Sequence, residues 1–219
     1  MASNTRVQNI LHYIRCEAIL KMDLDSIIFY DDEWILYNDG TYQFNWLNEN
    51  HNSGENKMQQ LGVWWNKFGI IEYFVRPSTN LTSALFNNSF KNVNLKLRCS
   101  KDVDKQYNLI VDFTNPEFTV DTYKYIREKN FTILSLPPES EKDSPTRSYL
   151  FKNFNQYIQN KNKKYNGDVI RAMEDFLKKE PTFFEEGVLA FTENCMRYCN
   201  KSRRSVEVPL ISPKCYMEN

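Results

Sequence analysis

Glycine, proline and histidine are scarce in this chain of 219 residues, which has six, eight and two of them. The six glycines never fall into a GxxxxGK or GxGxxG pattern, so a glycine-rich phosphate loop is excluded. No GxSxG elbow occurs, and His12 and His51 alone offer little for a Ser-His or Cys-His mechanism. No apolar run approaches the roughly 20 residues of a membrane span, so no membrane partner is expected. The start, from Met1 to Gln8, lacks the apolar stretch of a secretory signal, which points to an intracellular protein. Neither sign of charge is in excess: 28 Lys and Arg face 28 Asp and Glu. A dedicated nucleic-acid binder would carry a basic surplus, so no specific nucleic acid is expected as partner. The five cysteines are odd in number and scattered, and only Cys195 and Cys199 are closely spaced. They read as small buried thiols in a reducing compartment rather than as a zinc site.

Aromatic residues make up 15% of the chain, enough with the aliphatics for a sizeable core. Thirteen tyrosines, five cysteines and the lysines titrate in alkali, and above about pH 11 the formal charge falls to about −36. Near neutrality self-repulsion is small; in strong alkali it is large.

Residues 3 to about 20 predict an amphipathic helix, with Val7, Ile10, Leu11, Ile14 and Ala18 at helical spacing and Arg6, Tyr13, Arg15 and Glu17 between them. From Ser26 to Cys99 the pattern predicts strands: Ile27–Tyr30, Trp34–Tyr37 and Thr41–Trp46, then the pair Gly62–Asn66 and Ile70–Val75, then Val93–Cys99. Asn38-Asp39-Gly40 is a hairpin signal, and Trp64-Trp65 places one large ring on each sheet face. Pro77 to Asn88 reads as polar loop. Strands Tyr107–Phe113 and Phe131–Leu136 flank a helix Glu117–Lys129, a βαβ crossover that implies a parallel pair. Helices follow from Ser144-Pro145 to about Gln159, over Val169–Lys179 behind an Asp168 cap, and from a Thr182–Glu185 capping box to about Asn200. A last strand is predicted over Ser205–Ile211. The fold class is therefore α/β, a single mixed domain with helices covering the sheet.

One acidic cluster has an enzyme-like composition: Asp112, Glu117, Asp121, Glu128 and Lys129, at a strand end and on the next helix. Acidic groups beside a lysine can hold a divalent metal in a nuclease, with Asp112 and Glu117 as the central pair. The same residues also read as a turn and a solvated helix face. Lys161-Asn-Lys-Lys-Tyr165 and Lys201-Ser-Arg-Arg204 are basic clusters suited to phosphate or to helix C-termini.

Three stretches resemble cypovirus polyhedrins: Val188 to Lys201 with Glu207-Val and Ile211-Ser-Pro213; Leu109–Phe113 through Phe118 to Pro137; and Ile35–Phe44. The resemblance implies a self-assembling structural protein, not an enzyme, that forms the crystalline matrix of viral occlusion bodies in the cytoplasm of infected insect cells. It implies a compact three-layer α/β/α sandwich (residues 21–219) with a projecting N-terminal helical arm (residues 1–20). Its partners would be itself, as homotrimers packed in a lattice, and virus particles, with dissolution in alkali. On the arm, Val7, Ile10, Leu11, Tyr13, Ile14 and Arg15 become candidate assembly residues. Some such proteins hold nucleotides; an ATP-, GTP- or CTP-like ligand would have Arg15, Lys161, Lys163, Lys164, Arg203 and Arg204 as candidate contacts, with no cofactor required. The alternatives are a small metal-dependent nuclease using Asp112 and Glu117, and a host-interaction module without chemistry.

Overall fold

The computed structural model describes residues 2–38, 41–45, 57–77, 83–99, 104–112, 119–136, 144–161 and 168–205. Two units form, one of residues 1–21 with 192–219 and one of residues 22–191.

The larger unit is built on a six-stranded mixed sheet. Its strands are β1 (Ile27–Asn38), β2 (Thr41–Asn45), β3 (Lys57–Asn66), β4 (Gly69–Pro77), β5 (Tyr107–Asp112) and β6 (Phe131–Leu136). The order is β4-β3-β1-β5-β6, with β2 also paired to β1. β1, β2, β3 and β4 pair antiparallel, while β1–β5 and β5–β6 are parallel. The β5–β6 pair is the expected crossover, made by helix α3 (Val120–Glu128), which Thr119 caps by accepting from the Thr122 amide at 3.2 Å. α3 begins three residues later than the sequence predicts. Asn38 pairs with Thr41 across the expected hairpin.

One prediction fails here. Residues 83–98 form helix α2 (Ser83–Arg98), not a polar loop followed by a strand. Val93, Leu95 and Leu97 alternate as in a strand, but Val93 and Leu97 are also one helical turn apart. Together with Phe86 and Phe90 they make a buried helical stripe, and Leu95 is left 53% exposed.

Each sheet face buries a layer. On one, Ile28, Tyr30, Trp64, Leu109 and Val111 pack against Phe86, Phe90 and Val93 of α2 and Ile126 of α3. On the other, Phe29 stacks on Trp65 at 4.8 Å between centroids and meets Phe191 edge-on at 5.4 Å. The helices of this second face are α4 (Lys152–Asn160), α5 (Val169–Phe176) and the first part of α6 (Pro181–Ser205). A six-residue π-helical segment, Thr146–Phe151, leads into α4. Ser144 and Asp168 stand at the helix starts the sequence predicts, and Asp168 accepts from the Arg171 amide at 2.9 Å. The predicted strand Ser205–Ile211 lies outside the described residues beyond Ser205, the last residue of α6.

In the smaller unit, α1 (Ala2–Ile19) buries Cys16 and Ile19, and the second part of α6 buries Cys195 and Cys199. Tyr198 Oη donates to the Asn9 carbonyl at 3.2 Å, and His12 meets the Tyr198 ring edge-on at 4.1 Å. Of the predicted stripe, Val7, Leu11 and Ile14 are exposed and Ile10 is half-buried. Among the described residues no helix is long and apolar enough to cross a membrane.

Candidate functional site: a buried acidic strand with an arginine partner

The central strand carries three consecutive acids, Asp31-Asp32-Glu33, flanked by Ile27–Tyr30 and Trp34–Leu36. A sequence reading that stops each strand at the acids splits β1 in two. In the fold it runs unbroken, because β3 pairs with it continuously from Phe29 to Tyr37. On its other edge β1 has two partners: residues 27–29 pair with β5 and residues 34–38 with β2. The acids therefore sit where those two strands diverge.

Alternation sends Asp32 to one face and Asp31 and Glu33 to the other. Asp32 accepts from the Gln60 side chain across the strand pair. Asp31 and Glu33 are each only 4% exposed, and the face they share is the one covered by the Ser144–Phe151 segment. Asp31 Oδ1 accepts from the Asp32 amide at 2.9 Å, and its Oδ2 accepts from the Ser144 hydroxyl at 3.0 Å. Arg147 places Nε 3.0 Å from the same Oδ2, with its side chain 12% exposed. Burial pushes the Asp31 carboxyl up to about 7, against the lowering pull of Arg147. Burial likewise lifts Glu33 to about 8; Arg147 opposes the shift and the Asp31 charge adds to it. One guanidinium thus serves two buried carboxyls.

Asp112 is the last residue of β5. The last β1–β5 pair is Phe29 with Ile110, and Asp31 and Asp112 each follow it by two residues on their own strands. Of the other nuclease candidates, Asp121 and Glu128 are exposed on α3, and Lys129 Nζ lies 5.6 Å over the Tyr125 ring. Glu117 lies outside the described residues. The sequence reading missed Asp31, Glu33, Ser144 and Arg147. Three acids inside a β-branched and aromatic run, with no Gly, Pro or Asn to make a turn, were the available signal.

The fit to a divalent cation can be tested on this geometry. Among the described residues no group of three or more His, Cys, Asp or Glu side chains is placed to hold a metal. Both oxygens of Asp31 are already engaged, Oδ2 by Ser144 and Arg147 and Oδ1 by the Asp32 amide. A doubly charged ion ~4 Å from a guanidinium meets a repulsion of about 4 kcal/mol for each unit of its charge, at an effective dielectric near 20. The donor set as it stands does not fit a metal.

Of the nucleotide-binding candidates, Lys161 lies in the larger unit and Arg15 and Arg203 in the smaller one. Lys161 caps α4, with Nζ 4.4 Å from the Tyr157 ring centroid. Lys163 and Lys164, and the Arg204 side chain, lie outside the described residues. Arg203 donates to Tyr13 Oη at 3.0 Å and to Glu17 at 2.6 Å, and Tyr13 itself donates to Glu17 at 2.5 Å. Arg15 is half-buried on α1.

No family model matches the chain. The human histone-lysine N-methyltransferase SETMAR is 26% identical over 177 residues, which take in 75% of this chain and 26% of that protein. The chain thus spans about a quarter of that relative's length. Among solved structures, the Mos1 mariner paired end complex with Mn matches with a TM-score of 0.68 and 19% identity, covering 89% of this chain and 62% of that one. The Mos1 transposase catalytic domain with raltegravir and Mn matches with a TM-score of 0.68 and 18% identity, covering 89% and 94%. The Mos1 paired-end complex with the left transposon end gives 0.67 and 17%, covering 89% and 62%. The fold is α/β, a mixed sheet with helices, as in that catalytic domain.

These likenesses overturn the polyhedrin resemblance and what it implied: an occlusion-body matrix protein, a trimeric lattice, virus particles as partner and an infected-cell crystal as location. The stretches that carried it are an amphipathic helix, a central apolar strand and a hairpin, elements that many α/β folds share. The expectation of a non-enzyme is overturned too, since the matched structures are of a transposase catalytic domain. So are the expectation of no specific nucleic acid, by complexes with transposon ends, and that of no cofactor or a nucleotide, by structures holding Mn or Mg.

Proposed function

We propose that this chain is a DNA-processing domain of the transposase kind, acting on phosphodiester bonds of DNA around Asp31. The observation that carries this reading is the buried Asp31, which like Asp112 follows the last β1–β5 pair by two residues, in a fold that transposase catalytic domains match over 89% of the chain. This is the metal-dependent nuclease alternative, with its centre moved from Asp112 and Glu117 to Asp31 and Asp112. Zero net charge does not oppose it, because phosphate contacts depend on where Lys and Arg stand rather than on their surplus.

Within the site, Ser144 and the Asp32 amide hold the Asp31 carboxylate in one orientation, and Arg147 supplies the nearest positive charge. A guanidinium offers a planar fork to a phosphodiester as readily as to a carboxylate. Two measurements test the reading. Fluorescence anisotropy should show duplex DNA binding that weakens as salt rises. Labelled duplex should be cut by the wild type and not by Asp31→Asn or Asp112→Asn, both still binding DNA. A chain that neither binds DNA at low salt nor cuts it refutes the reading.

A further inference from the structure

We propose that Arg147 is a built-in counter-ion that keeps divalent cations off Asp31, so that a cation reaches this carboxylate only when the guanidinium leaves it. The inference rests on the reading of Asp31 as the centre of a DNA-processing site.

Asp31 and Glu33 lie on one strand face, both buried, with Arg147 as the cation that acts on both. Take that charge away, and two carboxyls remain in an apolar layer of Phe29, Trp65, Leu150 and Phe151. Such a site must recover protons or a cation from solvent, because unpaired buried charge is costly. While the guanidinium is in place, both oxygens of Asp31 have partners and a divalent ion meets an unfavourable field.

The backbone around Arg147 is pinned. Thr146 Oγ1 accepts from the Trp65 indole at 2.9 Å, Ser144 donates to Asp31, and Leu150 and Phe151 are buried. Release therefore falls to the side chain, by rotation about its own bonds. The Arg147 backbone belongs to the π-helical segment, a rare geometry that recurs at functional sites.

The test is Mn2+ alone, titrated into the full chain at neutral pH, with free Mn2+ read by electron paramagnetic resonance. Arg147→Gln keeps bulk and polarity and removes the charge. It should bind Mn2+ at least tenfold more tightly than the wild type, and Asp31→Asn added to it should abolish the gain. Equal affinities in wild type and Arg147→Gln would overturn the proposal. So would a wild-type affinity that Asp31→Asn alone removes, since metal and guanidinium would then share the carboxylate. If Arg147→Gln does not fold unaided, Mn2+ should restore its melting transition by circular dichroism, and no restoration counts against the idea. DNA binding separates the two readings: its absence removes the DNA-processing function and leaves the Mn2+ result standing, whereas equal Mn2+ affinities remove the counter-ion role alone.

Discussion

The Trp65 indole N–H donates to the Thr146 hydroxyl at 2.9 Å, both groups buried, and so ties β3 to the residue beside Arg147. On the opposite face the adjacent Trp64 donates to Ser89 at 2.8 Å on α2. Two neighbouring residues thus fasten the sheet to the layers on either side of it. Trp65→Phe keeps an aromatic ring and leaves the Thr146 hydroxyl without its donor. It should cost about 1–3 kcal/mol in urea unfolding. Thr146→Val, which removes the other partner, should add much less when combined with it than alone.

Gly187 leaves no room for a side chain. A Cβ there would lie 2.5 and 2.7 Å from Tyr149 ring carbons and 3.2 Å from Trp65. Tyr149 cannot swing away freely, because its hydroxyl donates to the Phe183 carbonyl at 2.7 Å. Gly187→Ala should destabilise by about 1–3 kcal/mol, despite the helix preference for alanine. A melting temperature equal to or above that of the wild type would contradict this.

The turn after α3 holds Asn130 at φ 65°, in the left-handed region. Its amide donates to the Arg127 carbonyl at 3.0 Å, closing the helix end just before β6. Asn130→Gly should be close to neutral. Asn130→Val, β-branched and poorly suited to positive φ, should cost about 1–2 kcal/mol by the same unfolding assay.

The thiols of the smaller unit set a pH dependence. The hydrogen bond with Cys195, then burial, raises Cys16 strongly, and burial lifts Cys199 to about 11. The folded state therefore keeps protons that the unfolded chain loses near pH 9. Their contribution is fully present below that value and is lost as pH rises towards 11. Urea midpoints measured from pH 8 to 10.5 should fall less steeply in Cys199→Ser than in the wild type. Parallel slopes would show that these thiols do not govern the alkaline limb. Here too the structure goes beyond the spacing of the cysteines, since Cys16 Sγ lies 3.8 Å from His12 Nε2.

Much of the fold was legible locally. The β3–β4 hairpin, the β5–α3–β6 unit and the helix starts at Ser144 and Asp168 each follow from patterns within a dozen residues or so: alternation, a crossover of fitting length, and side chains that cap their own helix. Misreadings arose where local signals conflict. Val93 and Leu97 satisfy both periods, and only the aromatic wall they meet makes the segment a helix. In α1 the helical period is legible, but not that Cys16 and Ile19 are buried while Val7 and Leu11 are exposed.

The candidate site was the least legible part. Asp112 at the end of its strand could be found from the sequence, since a strand followed by a turn is a local pattern. The acids of β1 left only the unbroken apolar run around them as a signal, because charged residues are buried inside a strand only where something distant satisfies them. That something is Ser144, which bonds Asp31 across 113 positions of sequence, with Arg147 three residues further on. Sequence by itself determined which segments become strands and helices wherever short-range sterics and capping agree. Only the tertiary structure decided that three acids could lie inside the central strand, because burying charge is permitted where the fold brings a counter-charge and a hydroxyl to meet it.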